Sequence, residues 1–315
     1  MPAGPGYHWG MRTSAALLLA LINSNCALAQ TTPGAPDPLH VGPVTQFEDH
    51  TISESSGVAA SRQFAGVLWT HNDGGNAPYL FATDTLARTL GTWIVVGSDN
   101  RDWEDIAAGP CPDGGHCLYL GDVGDNRERR STDRIYRFRE PDPNSVPDDS
   151  IGEIPASAVL TFQYPDGPTD VEAMYVDTKG DVYLISKGGS GPVIHYRLRT
   201  GDWARGIDHV VTAEALGQFP IDPGTTRLAG VTGSDLSADG HRLVVRTYRE
   251  LFFYAVDETG AVGDGPVTTC PILGLESQGE GVAWLDDQRV VLTSERGVLG
   301  RGTVAVVRCQ LPWSR

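Results

Sequence analysis

Five stretches of the chain repeat one pattern. A small or acidic residue opens a short apolar run, a turn follows, a second apolar run answers it, and a polar cluster ends the unit. The openings are Ser56-Gly57-Val58, Glu104-Asp105-Ile106, Glu172-Ala173-Met174, Ser234-Asp235-Leu236 and Glu280-Gly281-Val282. A unit of this size cannot bury its apolar face alone, so its copies must pack against one another, and β-rich units repeated at this spacing close into a ring. Second runs rich in β-formers fall at 67–70, 117–120, 182–185, 243–245 and 290–293. Third runs follow at 79–83, 135–138, 194–198, 251–255 and 304–309, and fourth runs at 92–96, 159–164, 210–217 and 266–273. No sustained helical periodicity competes with them.

The fifth unit has no fourth run, because the sequence stops six residues after Cys309. A spare segment, 40–48, precedes the first unit. If it supplies the missing outer strand, the ring closes and its edges are protected. The expectation is an all-β, five-bladed β-propeller spanning residues 40–315, closed by an N-terminal outer strand. A six-bladed ring is the alternative, but its extra blade would have to fit between residues 200 and 230, too short for four strands and their loops.

Ahead of the ring, Arg12 precedes the apolar run 15–22, and Ala27-Leu28-Ala29 supplies small residues for cleavage, so 1–29 reads as a signal peptide. The run is too short to span a bilayer, and Asn23-Ser24-Asn25 is a poor context for lipidation of Cys26. Residues 30–39, rich in Pro, Gly and Thr, read as a flexible leader. A secreted or periplasmic location leaves four cysteines in an oxidising compartment. Cys111 and Cys117 bracket the turn-forming segment 112–116 and are expected to pair, leaving Cys270 to join Cys309. Zinc is the weaker reading for the first pair, with no second Cys/His pair nearby. The formal net charge of −16 repels nucleic acid and anionic membranes. It suits a monomer that collects cations and handles a small-molecule or anionic ligand.

The motifs Glu54-Ser55-Ser56-Gly57-Val58-Ala59, Glu172-Ala173-Met174 and Glu280-Gly281-Val282-Ala283-Trp284, each leading into a strand pair, resemble the SdiA-regulated (YjiK-type) five-bladed propellers. More distantly they resemble phytase-like and NHL-repeat propellers. His71-Asn72-Asp73-Gly74-Gly75 and the run 118–126 are also similar to secreted bacterial propellers without an assigned activity. The resemblance covers most of residues 45–309 and implies a five-bladed fold and a calcium site, but no particular activity.

In a propeller blade the first strand starts on the face to which the second returns, so starts of first strands and ends of second strands converge around the channel. Here those positions are polar. Glu54, Glu104, Glu172 and Glu280 form the candidate metal set, because converging carboxylates must protonate, pair with a base or hold a cation, and calcium accepts six to eight oxygens in tolerant geometry. Glu104, Glu172 and Glu280 share one register, with Ser234 at the corresponding place in the fourth unit. The alternative is that these acids accept backbone amides of neighbouring blades. Asp122, Asp125 and Asn126, in a glycine-rich run without EF-hand spacing, together with Tyr248, are candidate ligand contacts. His71 beside Asp73 is a candidate base, Glu295 another, and Lys187 and Arg246 are candidate cations for an anionic group. Trp69, Trp103 and Trp284 read as packing between blades. The residues therefore point to a secreted, calcium-containing propeller that binds a ligand or substrate on one face. The alternative is a calcium-dependent hydrolase of an ester, lactone or phosphoester.

Overall fold

A computed structural model describes residues 39–313 except 148–149, 190, 206–208, 223–229 and 297–299. The segments read as signal peptide, 1–29, and leader, 30–39, lie outside the described residues except for residue 39. The fold is an all-β ring of five blades. Strands β1 (Leu39–Val41) and β2 (Thr45–Gln46) come first in the chain but belong to the last blade. The first blade is built from β3 (Ser55–Ala60), β4 (Val67–Asn72), β5 (Tyr79–Asp84) and β6 (Thr89–Val96). The second uses β7 (Trp103–Pro110), β8 (His116–Asp122) and β9 (Asp133–Arg139), then, after β10 (Ile151–Pro155), β11 (Ala158–Gln163). The third uses β12 (Val171–Val176), β13 (Val182–Ser186) and β14 (Ile194–Leu198), then, after a 3-10 turn at Thr200–Arg205 and β15 (Val210–Thr212), β16 (Glu214–Gln218). The fourth holds β17 (Val231–Leu236), β18 (Arg242–Thr247), β19 (Glu250–Ala255) and β20 (Thr268–Pro271). The fifth holds β21 (Gly279–Trp284), β22 (Arg289–Ser294) and β23 (Thr303–Cys309).

The innermost strands meet their neighbours in a closed circuit, β3 to β7 to β12 to β17 to β21 and back to β3. Because side chains alternate across a strand, each blade is apolar on both faces and buries them against the blades beside it. The core accordingly divides into five clusters, one per blade interface. Trp69 and Trp93 of the first blade meet Trp103 and Tyr136 of the second, and Phe253 of the fourth meets Trp284 of the fifth. The N-terminal strands complete the ring as expected: Leu39–Val41 pair antiparallel with Cys309–Val307, and Thr45–Gln46 with Val304–Thr303.

Two strands depart from the sequence reading. Residues 151–155 add a fifth strand, parallel to β6, to the first blade, and Val210–Thr212 add one, parallel to β11, to the second. The segment read as a single fourth strand at 210–217 is thus split between two blades, and only Glu214–Gln218 closes the third. Both lent strands cap an edge that would otherwise present unpaired amides to solvent.

Both cysteine pairs form disulfides. Cys111–Cys117, six residues apart, closes the hairpin between β7 and β8. Cys270–Cys309, 39 residues apart, ties the outer strand of the fourth blade to the last strand of the fifth, beside the closing strand.

Candidate functional site

Each innermost strand breaks register once near its start: between Ser55 and Val58, Trp103 and Asp105, Val171 and Ala173, Val231 and Gly233, and Gly279 and Val282. A bulge of this kind re-aims a side chain at the rim of a sheet. The residues it re-aims are Ser56, Glu104, Glu172, Thr232 and Glu280. The fourth unit's counterpart of the glutamates is therefore Thr232, two positions before the Ser234 expected from the sequence. The next position is Gly57, Asp105, Ala173, Gly233 and Gly281, where the strands crowd the axis. A Cβ on Gly57 would sit 2.7 Å from the Asp105 Cα, and one on Gly233 would sit 2.6 Å from the Glu280 carbonyl oxygen. The one long side chain in this layer, Asp105, accepts backbone N–H groups from Ile106 at 2.9 Å, Met174 at 2.8 Å and Ser234 at 3.2 Å. It ties three blades together. Asp235 does the same between the fourth and fifth blades, accepting the Trp284 N–H at 2.8 Å. The alternative reading of acids as ties between blades is realised by these two aspartates, while the re-aimed glutamates bond differently.

Glu104 accepts the Ser56 hydroxyl at 3.3 Å, Glu172 accepts the Lys187 ammonium at 2.5 Å, and Glu280 accepts Tyr248 Oη and Gln278 Nε2, each at 3.2 Å. The second carboxylate oxygen of Glu280 is buried without a partner. Asp73 and Asp102 join Glu104: one carboxylate oxygen from each lies within 4.8 Å of the others. Two loop glycines make room for them. A Cβ on Gly74 would stand 2.3 Å from Asp102 Oδ1, and one on Gly124 would stand 2.0 Å from Glu104 Oε1. Neither glycine has a positive φ, so what fixes these positions is space for a carboxylate.

The electrostatics follow from burial. Glu104 is 4% exposed and Glu280 3%. Burial pushes both carboxyls well above the usual range, and the nearby acids, Glu172 first, push them further. Burial and Asp73 raise Asp102 to about 6. Asp73 itself is raised by burial and, further, by Glu54 and Asp170. Glu172 rises to about 7 through burial, even with Lys187 against it, and Glu295 reaches about 7 through burial and the neighbouring Asp73 and Glu54. Burial works against charge on Lys187, but Glu172 and Asp170 outweigh it and the pKa rises. One lysine thus faces a surplus of carboxyl groups.

The remaining candidates are distributed around this centre. Glu54 lies on the rim, accepting Asn76 Nδ2 at 2.8 Å and pairing with Arg296 at 3.3 Å. Asn126 Oδ1 is 3.4 Å from Lys187 Nζ. Asp122 accepts Arg101, Arg130 and the Asp102 amide, each at 3.0 Å, and so positions Asp102 from behind. Asp125 accepts the backbone of Arg129 and Arg130, holding the loop after β8. Arg246 is buried between the fourth and fifth blades, paired with Glu276 and bonded to the carbonyls of Gly281 at 2.6 Å and Thr293 at 2.9 Å. His71 is fully buried with its ring edge-on to Trp103 at 5.7 Å, and burial lowers its pKa to about 4. Its Nε2 has no partner. The structure therefore gathers Glu104, Glu172, Glu280, Asp73, Lys187, Tyr248 and Glu295 at one rim, and places His71 and Arg246 within blade interfaces. Asp102 carries as much of the centre as any of them; its signal was the acid pair Asp102 and Glu104 flanking Trp103.

A closed five-bladed ring with an acidic rim defines the class: a β-propeller. No protein-family profile matches the chain, and no curated protein matches it. Solved structures with similarity include a PQQ-bound aldose sugar dehydrogenase from Streptomyces coelicolor, 14% identical over 88% of this chain and 100% of that one, TM-score 0.48. A protein of unknown function from Dyadobacter fermentans is 10% identical over 87% of this chain and 100% of that one, TM-score 0.44. A catalytically inactive virginiamycin B lyase from Staphylococcus aureus is 8% identical over 86% of this chain and 100% of that one, TM-score 0.40. Likenesses of this size carry no activity to the present chain.

Proposed function

We propose that this is an exported propeller that binds calcium through Asp73, Asp102 and Glu104 and uses the ion to hold a ligand on the rim. The observation carrying this reading is that trio: three carboxylate oxygens within 4.8 Å, with Lys187 already given to Glu172 and Arg130 to Asp122 and Asp133. Ca–O distances of about 2.3–2.6 Å let oxygens around one ion stand up to ~5 Å apart, so the spacing suits this ion without rearrangement. Glu280, whose second oxygen lacks a partner, adds acidity on the same rim. Two buried disulfides favour an oxidising compartment, in keeping with export, and among the described residues no helix is long and apolar enough to cross a membrane. The short motifs at 54–59, 172–174 and 280–284 support placing the chain with the SdiA-regulated propellers. The partner in this reading is a small, anionic molecule bound by a monomer.

A second reading, hydrolysis of an ester, lactone or phosphoester, is favoured by Glu295. Its carboxyl, on the same rim, is held near pKa 7, where a carboxylate both accepts and returns a proton at neutral pH. Bound calcium would polarise the substrate oxygen. The chain's own contribution would be Glu295 taking a proton from water and Lys187 steadying negative charge.

The test is calorimetric titration of calcium into chelator-treated protein, alongside Asp102→Asn and Glu104→Gln. Binding by the parent protein, weakened at least tenfold in either variant, is the expected result. Absence of binding heat, with no divalent ion retained in metal analysis, overturns the reading. Turnover of aryl esters, lactones or phosphoesters that is lost in Glu295→Gln while calcium affinity is kept would establish the hydrolase.

A further inference from the structure

Beside the acidic rim, between the second and third blades, lies a cleft of about 550 Å³. Its lining includes Lys187, Asp170 and Arg127. Lys187 stands between the cleft and the carboxylate trio: its ammonium bonds Glu172 at 2.5 Å and lies 3.9 Å from Asp170. Arg127 is exposed and pairs with no carboxylate among the described residues. It belongs to the run Asn126-Arg127-Glu128-Arg129-Arg130, in a chain with 24 basic against 40 acidic residues. Arg127 and Lys187 thus place two cationic groups on the lining of one cleft in an acidic chain. The lining also includes Pro192, Ile194 and Tyr196, which supply an apolar surface. The connecting loop is glycine-rich, and a Cβ on Gly189 or Gly191 would meet nothing within 4 Å, so the backbone there lies open. The acids on the lining are Glu128 and Asp170, and Asp170 is engaged by the Asp125 amide at 2.9 Å.

We infer that this cleft is the ligand subsite, taking a small molecule with an acid group at one end and a compact apolar body at the other. The acid group sits between Arg127 and Lys187, reaching toward the cation held by Asp73, Asp102 and Glu104, and the body lies against Pro192, Ile194 and Tyr196. A guanidinium and an ammonium flanking one anion match phosphate or carboxylate, the guanidinium as a fork and the ammonium as a point charge. The inference rests on the calcium reading above and adds to it the chemistry of the ligand and the residue Arg127.

Phenyl phosphate is the probe, with phenol as the neutral counterpart, titrated into calcium-loaded protein. Phenyl phosphate should bind and phenol should not. Arg127→Ala, an exposed substitution that leaves the fold intact, should weaken phenyl phosphate binding about tenfold while leaving calcium affinity unchanged. Arg139→Ala, which removes an arginine paired with Asp113 elsewhere, should have no effect. Equal binding of phenyl phosphate to the parent and to Arg127→Ala, or no binding at all beside normal calcium binding, overturns the subsite and leaves the calcium reading standing. Absence of calcium binding with phenyl phosphate still sensitive to Arg127→Ala overturns the calcium reading and keeps the cleft.

Discussion

The residues of the rim divide by what their oxygens accept. Asp105 and Asp235 accept backbone amides and serve the ring; Glu104, Asp102 and Asp73 crowd one another, the arrangement on which the calcium proposal rests. Part of this division was legible. The shared register of Glu104, Glu172 and Glu280 is visible as Glu-x-apolar in three units, and their convergence followed from the ring. The bulges were not visible, because an extra residue in a strand leaves no mark on an alternating pattern this short. The fourth unit was therefore aligned on Ser234 in place of Thr232. Nothing in the sequence marks the glycines at 74 and 124 as places where neighbouring acids, and at 74 the backbone of Arg101 and Asp102 as well, exclude a side chain. Glu104→Gln keeps the volume and the contact with Ser56 while removing an acid that burial disfavours. Its calcium affinity should fall at least tenfold, about 1.4 kcal/mol, whereas its melting temperature in chelator at pH 8 should match or exceed that of the parent. A lower melting temperature with calcium binding intact would make Glu104 a structural residue. The pH dependence has a defined sign. Carboxyls raised to about 6 in Asp102 and about 7 in Glu172 and Glu295 hold protons more tightly in the folded than in the unfolded chain, where such groups titrate near 4. Their cost is absent below about pH 4 and grows as pH rises to about 7, being fully present above it. Metal-free protein should thus lose several degrees of melting temperature between pH 5 and 8, and calcium should restore most of that at pH 8 and little at pH 5. Thermal melts with calcium and with chelator at the two pH values measure this directly; a calcium effect larger at pH 5 would refute the assignment of these groups.

At the level of the strand, the layer formed by Gly57, Asp105, Ala173, Gly233 and Gly281 decides how closely the blades approach the axis. Four small residues let the backbones close in, and one aspartate spans the space that they leave. Replacing Gly57 with alanine sets a Cβ 2.7 Å from backbone atoms of Asp105 and Ile106. The Asp105 carboxylate, 2.9 Å away, is itself held by backbone amides, so the expected cost is about 1–3 kcal/mol from overpacking. Asp105→Ala leaves three buried amides without an acceptor, each worth roughly 1–3 kcal/mol, and should lower stability by about 3 kcal/mol or more in urea melts. Calcium affinity of the folded fraction should stay near the parental value. The pairing of Asp105→Ala with Glu104→Gln is therefore diagnostic: adjacent residues on one strand, one costing stability and the other costing calcium. If both changes acted alike on calcium, the division of roles between them would be wrong. The strands themselves were mostly legible, because two-residue alternation and turn punctuation fix where a strand lies. The lent strands β10 and β15 were not, since a strand's own sequence does not record which neighbour it joins. Val210–Thr212 reads equally well as the outer strand of its own blade or as an added edge on the one before.

For the molecule as a whole, closure is the step on which every other contact depends, because the rim exists only if the fifth blade meets the first. Two devices hold the last blade in place for that closure. Leu39–Val41 pair with the strand carrying Cys309, and that cysteine is bonded to Cys270 in the fourth blade. Closure by the N-terminal segment was inferable from a strand deficit at one end of the sequence and a surplus at the other. That the second disulfide fastens the closing blade to the fourth was inferable only in outline, since cysteine counting pairs residues without locating them in the ring. The two disulfides should differ in what they contribute. By loop-closure entropy, the 39-residue separation of Cys270 and Cys309 corresponds to about 4 kcal/mol, and the six-residue separation of Cys111 and Cys117 to about 2 kcal/mol. The paired substitution Cys270→Ser with Cys309→Ser should accordingly lower stability the more. Because it loosens the contact between the fourth and fifth blades and the strand that carries the closing pair, it should also weaken calcium binding as Glu280 and Glu295 draw away from the trio. Cys111→Ser with Cys117→Ser, confined to a hairpin on the opposite face, should cost less in a urea melt and leave calcium affinity where it was. Equal losses of stability from the two pairs, or a calcium defect from the hairpin pair, would mean that the fastening of the fifth blade to the fourth is not what holds the rim in shape.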